Sequence, residues 1–292
     1  MSEGYSYETM MKQCEQLATN NPFIEAYRIG CSVMGKPIIA LRCGCGPRNV
    51  HVNASFHANE WITSALLMRF VTELAEAYRS GYLLDGRIVA ELCRETTLWA
   101  VPMVNPDGVE LAQRGADKSH PLYERLIEWN GGLTDFSGWK ANIRGVDLND
   151  QFPAYWEEEC KRRGVEGPAP RDYPGPYPLS EPEAAALAEM TERVQFDTVI
   201  ALHTQGREIY WNYRDCEPAN AEVLARKLGT ASGYTPVKLS GSDAGYKDWF
   251  IYRYRRPGFT VEAGYGENPL PLSNFESIYP EIRSLLLESL RL

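Results

Sequence analysis

Apolar residues along this chain recur with two periods, and polar breaks mark where one gives way to the other. Between 61 and 78, Ile62, Leu66, Phe70 and Leu74 return every four residues with Leu67, Val71 and Tyr78 beside them, and Gly81 follows the run. That spacing lays one apolar stripe along a helix, and glycine is the residue that most readily stops it. A helix is also expected over 7–19. Segments 25–30, 37–43 and 49–54 are short and extended, the second entered through the turn Met34-Gly35-Lys36-Pro37. Residues 98–104 predict a further strand, followed by Asn105-Pro106-Asp107-Gly108, a turn by composition. The run 196–202 is β-branched and almost without a polar interruption, as expected of a strand covered on both faces.

The second half continues the alternation. Ser180 with Glu183 reads as a capping box that opens a helix through Val194. A strand over 208–213, helices over 217–229 and 246–254, a strand over 258–262 and a last helix from Phe275 follow. The stretch 155–178 is rich in Pro, Gly and charge and too long for a simple connection, so it is expected to form a lid or wall of a cleft. Strands alternating with helices and no internal repeat define an α/β fold: one domain over 1–292, with a mixed central sheet and helices on both faces.

Composition narrows the function by exclusion. The 292 residues are 44% hydrophobic and 24% charged, the balance of an ordinary globular chain. A formal net charge of -9 argues against binding a phosphate backbone, so no nucleic-acid partner is expected. No stretch reaches the length of a membrane span, and the start lacks a basic region followed by an apolar run; no membrane partner and a cytoplasmic location are expected. Seven cysteines without paired C-x-x-C spacing suggest thiols in a reducing compartment, neither a disulfide framework nor a thiolate metal site.

Candidate chemistry begins where the strand 49–54 runs into a polar corner. In His57-Ala58-Asn59-Glu60 an imidazole and a carboxylate stand three residues apart, close enough on a tight turn to converge on one cation. A salt-bridged or capping pair has the same spacing. A catalytic zinc needs three protein ligands and an open position for water. His203 is the candidate for the third, because it follows the apolar strand at the carboxyl end, where open α/β sheets carry their catalytic groups.

Five motifs in order, His57-Ala58-Asn59-Glu60, Pro102 to Gly108, Arg144-Gly145-Val146-Asp147-Leu148-Asn149, Leu202-His203 and Phe259-Thr260-Val261-Glu262, resemble the zinc carboxypeptidases in sequence and spacing from about Gly35 onward. The resemblance implies one zinc per chain held by His57, Glu60 and His203, with Glu262 as general base. It implies that Arg144 stabilises the oxyanion and that Asp147 orients a ligand imidazole, expected to be that of His57. His51 and His120 match nothing in that pattern.

Two departures bear on specificity. Typical family members follow the asparagine with an arginine, and the pair clamps the substrate's terminal carboxylate; here the residues are Asn149 and Asp150. An aspartate there repels a carboxylate and is expected to attract an ammonium. Lys247 aligns with the position that sets side-chain preference and is expected to meet an acidic substrate group. The segments Val146 to Pro153, Leu202 to Gly206 and Glu262 to Gly264 resemble the bacterial branch that cleaves γ-D-glutamyl-diaminopimelate bonds, which implies a small, muropeptide-like substrate. An ordinary carboxypeptidase and a zinc-binding pseudoenzyme are the alternatives, the latter disfavoured by the presence of both Glu262 and Arg144.

Overall fold

The computed structural model describes residues 4–292. Its elements in chain order are α1 (Tyr7–Asn20), β1 (Ile24–Cys31), β2 (Pro37–Cys43), β3 (Arg48–Ala54), α2 (Ile62–Ser80), a hairpin of β4 (Leu83–Leu84) and β5 (Arg87–Ile88), α3 (Val89–Glu95), β6 (Thr96–Val101), α4 (Pro106–Arg114), α5 (Tyr123–Trp129), α6 (Trp156–Arg163), α7 (Pro182–Val194), β7 (Thr198–His203), β8 (Glu208–Tyr210), α8 (Ala221–Ser232), β9 (Thr235–Val237), α9 (Tyr246–Tyr254), β10 (Gly258–Glu262) and α10 (Phe275–Ser289). Eight strands form one mixed sheet in the order β1-β2-β6-β3-β7-β10-β8-β9. The inner four, β6, β3, β7 and β10, are parallel, and β2 and β8 run antiparallel on either side of them.

The apolar pattern explains how the sheet is covered. From β3 the chain travels through α2 to β6, then returns past β3 through α7 to β7. Crossovers between parallel strands are right-handed, so opposite directions of travel put α2 and α7 on opposite faces. Along β7, Ile200 and Leu202 join the core under α2, α8 and α10, while Val199 and Ala201 join Leu187 of α7 and Phe250 of α9 on the other face. Both alternating sets are therefore apolar. No helix among the described residues is long and apolar enough to cross a membrane.

Several local expectations are corrected. Asn105-Pro106-Asp107-Gly108 is a helix start: the Asn105 side chain accepts from Gly108 N–H at 3.1 Å, and Pro106 takes the first helical position, where its missing N–H costs nothing. Ser180 and Glu183 do not form a capping box. The N-cap of α7 is Glu181, and Ser180 Oγ turns to Gln151 Oε1 at 3.1 Å. Glu183 is buried and accepts from Val33 N–H at 3.0 Å, its carboxyl pushed up to about 7 mainly by burial. A distant backbone donor outcompetes the local cap because Glu183 faces inward. The helix expected over 217–229 is α8, four residues later. Helices α3, α5 and α6 lacked a sequence signal; α6 reads Trp-Glu-Glu-Glu-Cys-Lys-Arg-Arg, too polar to show a stripe.

Candidate metal centre and catalytic cleft

Adjacent parallel strands end at the same edge of a sheet, and here β3, β7 and β10 deliver three groups to that edge. Glu262 is in register with His203, and Ala54, just before the His57 turn, is in register with Leu202. Because the crossovers diverge at β3, the edge opens into a crevice at the switch point of the strand order. The chain leaves β3 through Ser55, held at φ 51° and fixed by Thr63 Oγ1 accepting its N–H at 3.0 Å, then makes a 3-10 turn over Ala58–Glu60. That turn is tied to the loop following α5: Ala58 N–H donates to Lys140 C=O at 2.9 Å, and Asn105 Nδ2 bridges Phe56 O and Ala141 O at 3.0 and 3.1 Å. Gly108 is required there, since a Cβ would lie 2.6 Å from Ala141 O.

Three buried side chains converge. Glu60 Oε1 is 2.9 Å from His57 Nδ1, Glu60 Oε2 is 3.0 Å from His203 Nδ1, and the two Nδ1 atoms are 3.1 Å apart. Two ring nitrogens in contact are unfavourable if both carry protons, whereas ligands bound at about 2.0–2.1 Å around one zinc stand roughly 3.3 Å apart. His203 Nε2 is buried without a hydrogen-bond partner, and both Nδ1 atoms face the Glu60 carboxylate, so the two imidazoles and the carboxylate turn their donor atoms toward one point. The donor set fits zinc. Asp147 Oδ1 lies 3.2 Å from His57 Nε2, the contact that leaves Nδ1 as the ligand atom.

The electrostatics follow from burial and pairing. Burial is the largest influence on His57 and opposes its charge, with Lys140 opposing as well, but Glu60 and Asp147 together outweigh them and the imidazole is pushed up to about 9. Burial opposes the charge of Glu60 and Asp147, yet both stay well below the usual carboxylate range, because His57 and His203 together hold Glu60 down and His57, Lys140 and Arg163 together hold Asp147 down. Burial lowers His203 despite Glu60. Burial and then Glu60 push Glu262 up to about 8, with His57 and Lys140 opposing. Glu208 of β8 stands opposite Glu262 in the antiparallel ladder and accepts from Tyr210 OH at 2.6 Å.

Of the two cations on this loop, Lys140 acts on the centre, while Arg144, expected to stabilise the oxyanion, lies apart from it. Arg144 is half exposed and its Nη1 stands 3.6 Å from Glu181, on the outer side of the loop. Lys140 follows the buried Trp139, bears on His57, Asp147, His203 and Glu262, and among the described residues forms no salt bridge. Two cations four apart on one loop have no periodicity to separate them, so spacing did not reveal which one turned inward.

Asp150, expected to attract a substrate ammonium, already has a cation of the chain beside it. Asp150 is buried and paired with Arg163 of α6, Nε to Oδ2 at 2.8 Å and Nη2 to Oδ1 at 3.0 Å. Burial, then Asp147, raises its carboxyl to about 7 while Arg163 pulls the other way. An anion forced next to Asp147 needs a counter-charge, and α6 brings one from within the chain. Lys247 is likewise buried, with Nζ donating to Asn212 O at 2.8 Å and 2.5 Å from Asp248 Oδ1, so its charge is matched by a neighbour. Asn149 is half-buried at the rim, its N–H donating to Asp147 Oδ1 at 3.2 Å. The segment 155–178 forms a wall: Asp172 N–H donates to Asp147 Oδ2 at 3.2 Å, and the N–H groups of Lys140 and Ala141 donate to Pro170 O at 2.9 and 3.0 Å.

A His-Glu-His centre with a carboxylate beside it, at the carboxyl edge of a mixed α/β sheet, defines a metallohydrolase. The sequence family described as zinc carboxypeptidase matches residues 10–277, and the chain belongs to it. A gamma-D-glutamyl-L-diamino acid endopeptidase 1 of Lysinibacillus sphaericus is 47% identical over 290 residues, covering 99% of this chain and 73% of its own. The uncharacterized protein YqgT of Bacillus subtilis (strain 168) is 40% identical over 290 residues, with 98% and 77% covered. Among solved structures, bovine thrombin-activatable fibrinolysis inhibitor in complex with tick carboxypeptidase inhibitor has a TM-score of 0.74 at 22% identity, covering 99% of this chain and 97% of that one. The murein-tripeptide amidase MpaA of Escherichia coli O157 has a TM-score of 0.56 at 21% identity, with 91% and 92% covered. Both share the fold.

Proposed function

We propose that this zinc peptidase hydrolyses the amide bond between the γ-carboxyl of a D-glutamyl residue and a diamino acid in peptides derived from peptidoglycan. One observation carries the reading beyond the family: where a carboxypeptidase presents a free cation to a terminal carboxylate, this chain has Asp150, already neutralised by Arg163. A C-terminal carboxylate has no clamp there, which fits an enzyme selecting another feature of its substrate. The relative in Lysinibacillus sphaericus, a gamma-D-glutamyl-L-diamino acid endopeptidase, points the same way. Seven free thiols fit the reducing interior of a cell, where small peptide fragments, not intact wall, are the substrates we propose.

Zinc, when bound by His57, Glu60 and His203, supplies a Lewis acid that polarises a carbonyl and acidifies water. Glu262 accepts the proton of the attacking water and passes it to the leaving nitrogen. Lys140 meets the negative charge that develops on the scissile oxygen; its ammonium is a compact point charge, free of an internal ion pair. Asp147 holds His57 in one tautomer. Removing Lys140 is expected to cost about 10²–10³ in kcat, the range for one oxyanion donor, while Arg144→Ala stays within about threefold of wild type, as expected for an exposed charge. Steady-state kinetics on both variants check the assignment, and the reverse order would return the role to Arg144.

Glu208 is the carboxylate available to a substrate amine, since among the described residues it has no cationic partner and faces the same cleft as Glu262. The test is purified protein on L-Ala-γ-D-Glu-diaminopimelate, with products weighed by mass spectrometry. Cleavage at the γ-glutamyl bond is expected, and acetylating the free amine of the diamino acid is expected to lower kcat/KM roughly tenfold or more by unpairing a charge. Glu208→Gln should remove most of that difference. Rapid release of a C-terminal Phe or Leu from an ordinary peptide, with no cleavage of the γ-glutamyl bond, would make the enzyme a carboxypeptidase instead.

A further inference from the structure

Glu60 is gripped from a direction that the ligand set does not explain. The loop after β10 carries Asn268 back to the metal centre, where its Nδ2 donates to Thr204 C=O at 2.9 Å and to Glu60 Oε1 at 3.3 Å. Thr204 Oγ1 donates to Asn268 Oδ1 at 2.7 Å, and Thr204 N–H donates to Glu60 Oε2 at 3.3 Å. The orientation of the amide follows from its partners: a backbone carbonyl can only accept, so the nitrogen must face Thr204 O and the oxygen must take the hydroxyl. Each oxygen of Glu60 thus has one imidazole nitrogen and one neutral N–H around it.

We infer that Asn268 is a positioning residue for the Glu60 carboxylate, locked in place by Thr204, and that this bracket sets the affinity of the centre for zinc; the inference rests on the zinc reading of the triad. The physical argument is about freedom and charge. A glutamate has a loose terminal torsion, and a ligand that must be found among several orientations binds with an entropic loss. Two N–H donors on opposite oxygens fix the carboxylate plane while leaving each oxygen lone-pair capacity for a cation. Both donors are neutral, so they orient the anion without cancelling the charge that attracts the metal. An ammonium or guanidinium in the same place would compete with zinc for that charge. The bracket also joins the loop beyond Glu262 to the residue following His203, so the proton acceptor and two ligands are held relative to one another.

Outer-shell partners of metal ligands are worth roughly 10- to 100-fold in metal affinity. The experiment is competition for zinc against a chromophoric chelator at fixed pH, on wild type, Asn268→Ala and Asn268→Leu, with circular dichroism and melting of the metal-stripped proteins alongside. Leucine fills the volume of the amide without its donors, so it separates lost packing from lost hydrogen bonds. Both variants are expected to keep the fold and to bind zinc roughly 10- to 100-fold more weakly. Thr204→Val is expected to weaken zinc binding as well, with less than additive loss when combined with Asn268→Ala, because the two act through one bracket. A purely structural role predicts lower melting temperatures with an unchanged zinc dissociation constant, and that result overturns the proposal. Wild-type protein that binds no zinc overturns the metal centre and this role together; tight wild-type binding with unchanged affinity in both Asn268 variants overturns this role alone.

Discussion

Replacing His203 with alanine is expected to bring zinc from one ion per chain to trace levels and to reduce hydrolysis to background. A catalytic zinc is held by three protein ligands, and with one gone the remaining His57 and Glu60 cannot close the site. The fold should survive the change. His203 closes β7 at the rim of the sheet, and its Nε2 has no hydrogen-bond partner to leave unsatisfied. The same variant separates metal from scaffold in a melting experiment. A ligand that binds only the folded state stabilises by RT ln(1 + [L]/Kd), about 4.1 kcal/mol at a thousandfold excess over Kd. Chelation should therefore lower the melting temperature of wild type and leave His203→Ala unmoved. Elemental analysis that finds one zinc per chain in the variant would remove His203 from the ligand set.

Glu262→Gln is expected to retain zinc and substrate binding and to lose about 10²–10⁴ in kcat, the contribution of a positioned general base. The amide copies the shape of the carboxylate at the end of β10, in register with His203, and cannot take a proton. Loss confined to kcat is the signature of an interaction made only in the transition state. Zinc content measured on the same preparation guards against a hidden effect on the ligands, since Glu60 lies close enough to push the Glu262 carboxyl upward. Near-wild-type kcat would mean another acceptor, and Glu208, across the ladder, would be the residue to change next.

The difference between Arg144 and Lys140 illustrates the limit of a motif. In Trp139-Lys140-Ala141-Asn142-Ile143-Arg144 both cations precede the Gly-Val-Asp segment. Trp139 is fully buried and donates through Nε1 to Asn142 O at 3.1 Å, and Ala58 N–H takes the Lys140 carbonyl, so the backbone aims Lys140 at the centre and leaves Arg144 outside. The first contact is local but leaves no periodic pattern, and the second is made only in the folded chain. Asp150 and Lys247 make the same point with charge: the motif located both, but Arg163 was brought to Asp150, and the Asn212 carbonyl to Lys247, only by folding. Asn268 had even less to mark it, since its contacts run 208 residues back to Glu60.

The sequence by itself determined most strands of the central sheet, the long helices and the kinds of chemistry available. Strand and helix periods are local consequences of which positions must be apolar, so the doubly covered run of β7 and the long stripe of α2 were legible. So were the His57–Glu60 turn and a histidine at the carboxyl end of an apolar strand. Tertiary structure decided which charges remain free. Whether a carboxylate or an ammonium can serve a substrate depends on whether the chain has already paired it, and pairing is set by strand order, by the wall that α6 begins, and by loops that meet only when β3, β7 and β10 lie side by side. Periodicity records burial, whereas charge matching is a property of neighbours in space. That is why the metal donors could be read in advance, while Lys140, Arg163 and Asn268 could be recognised only from the folded chain.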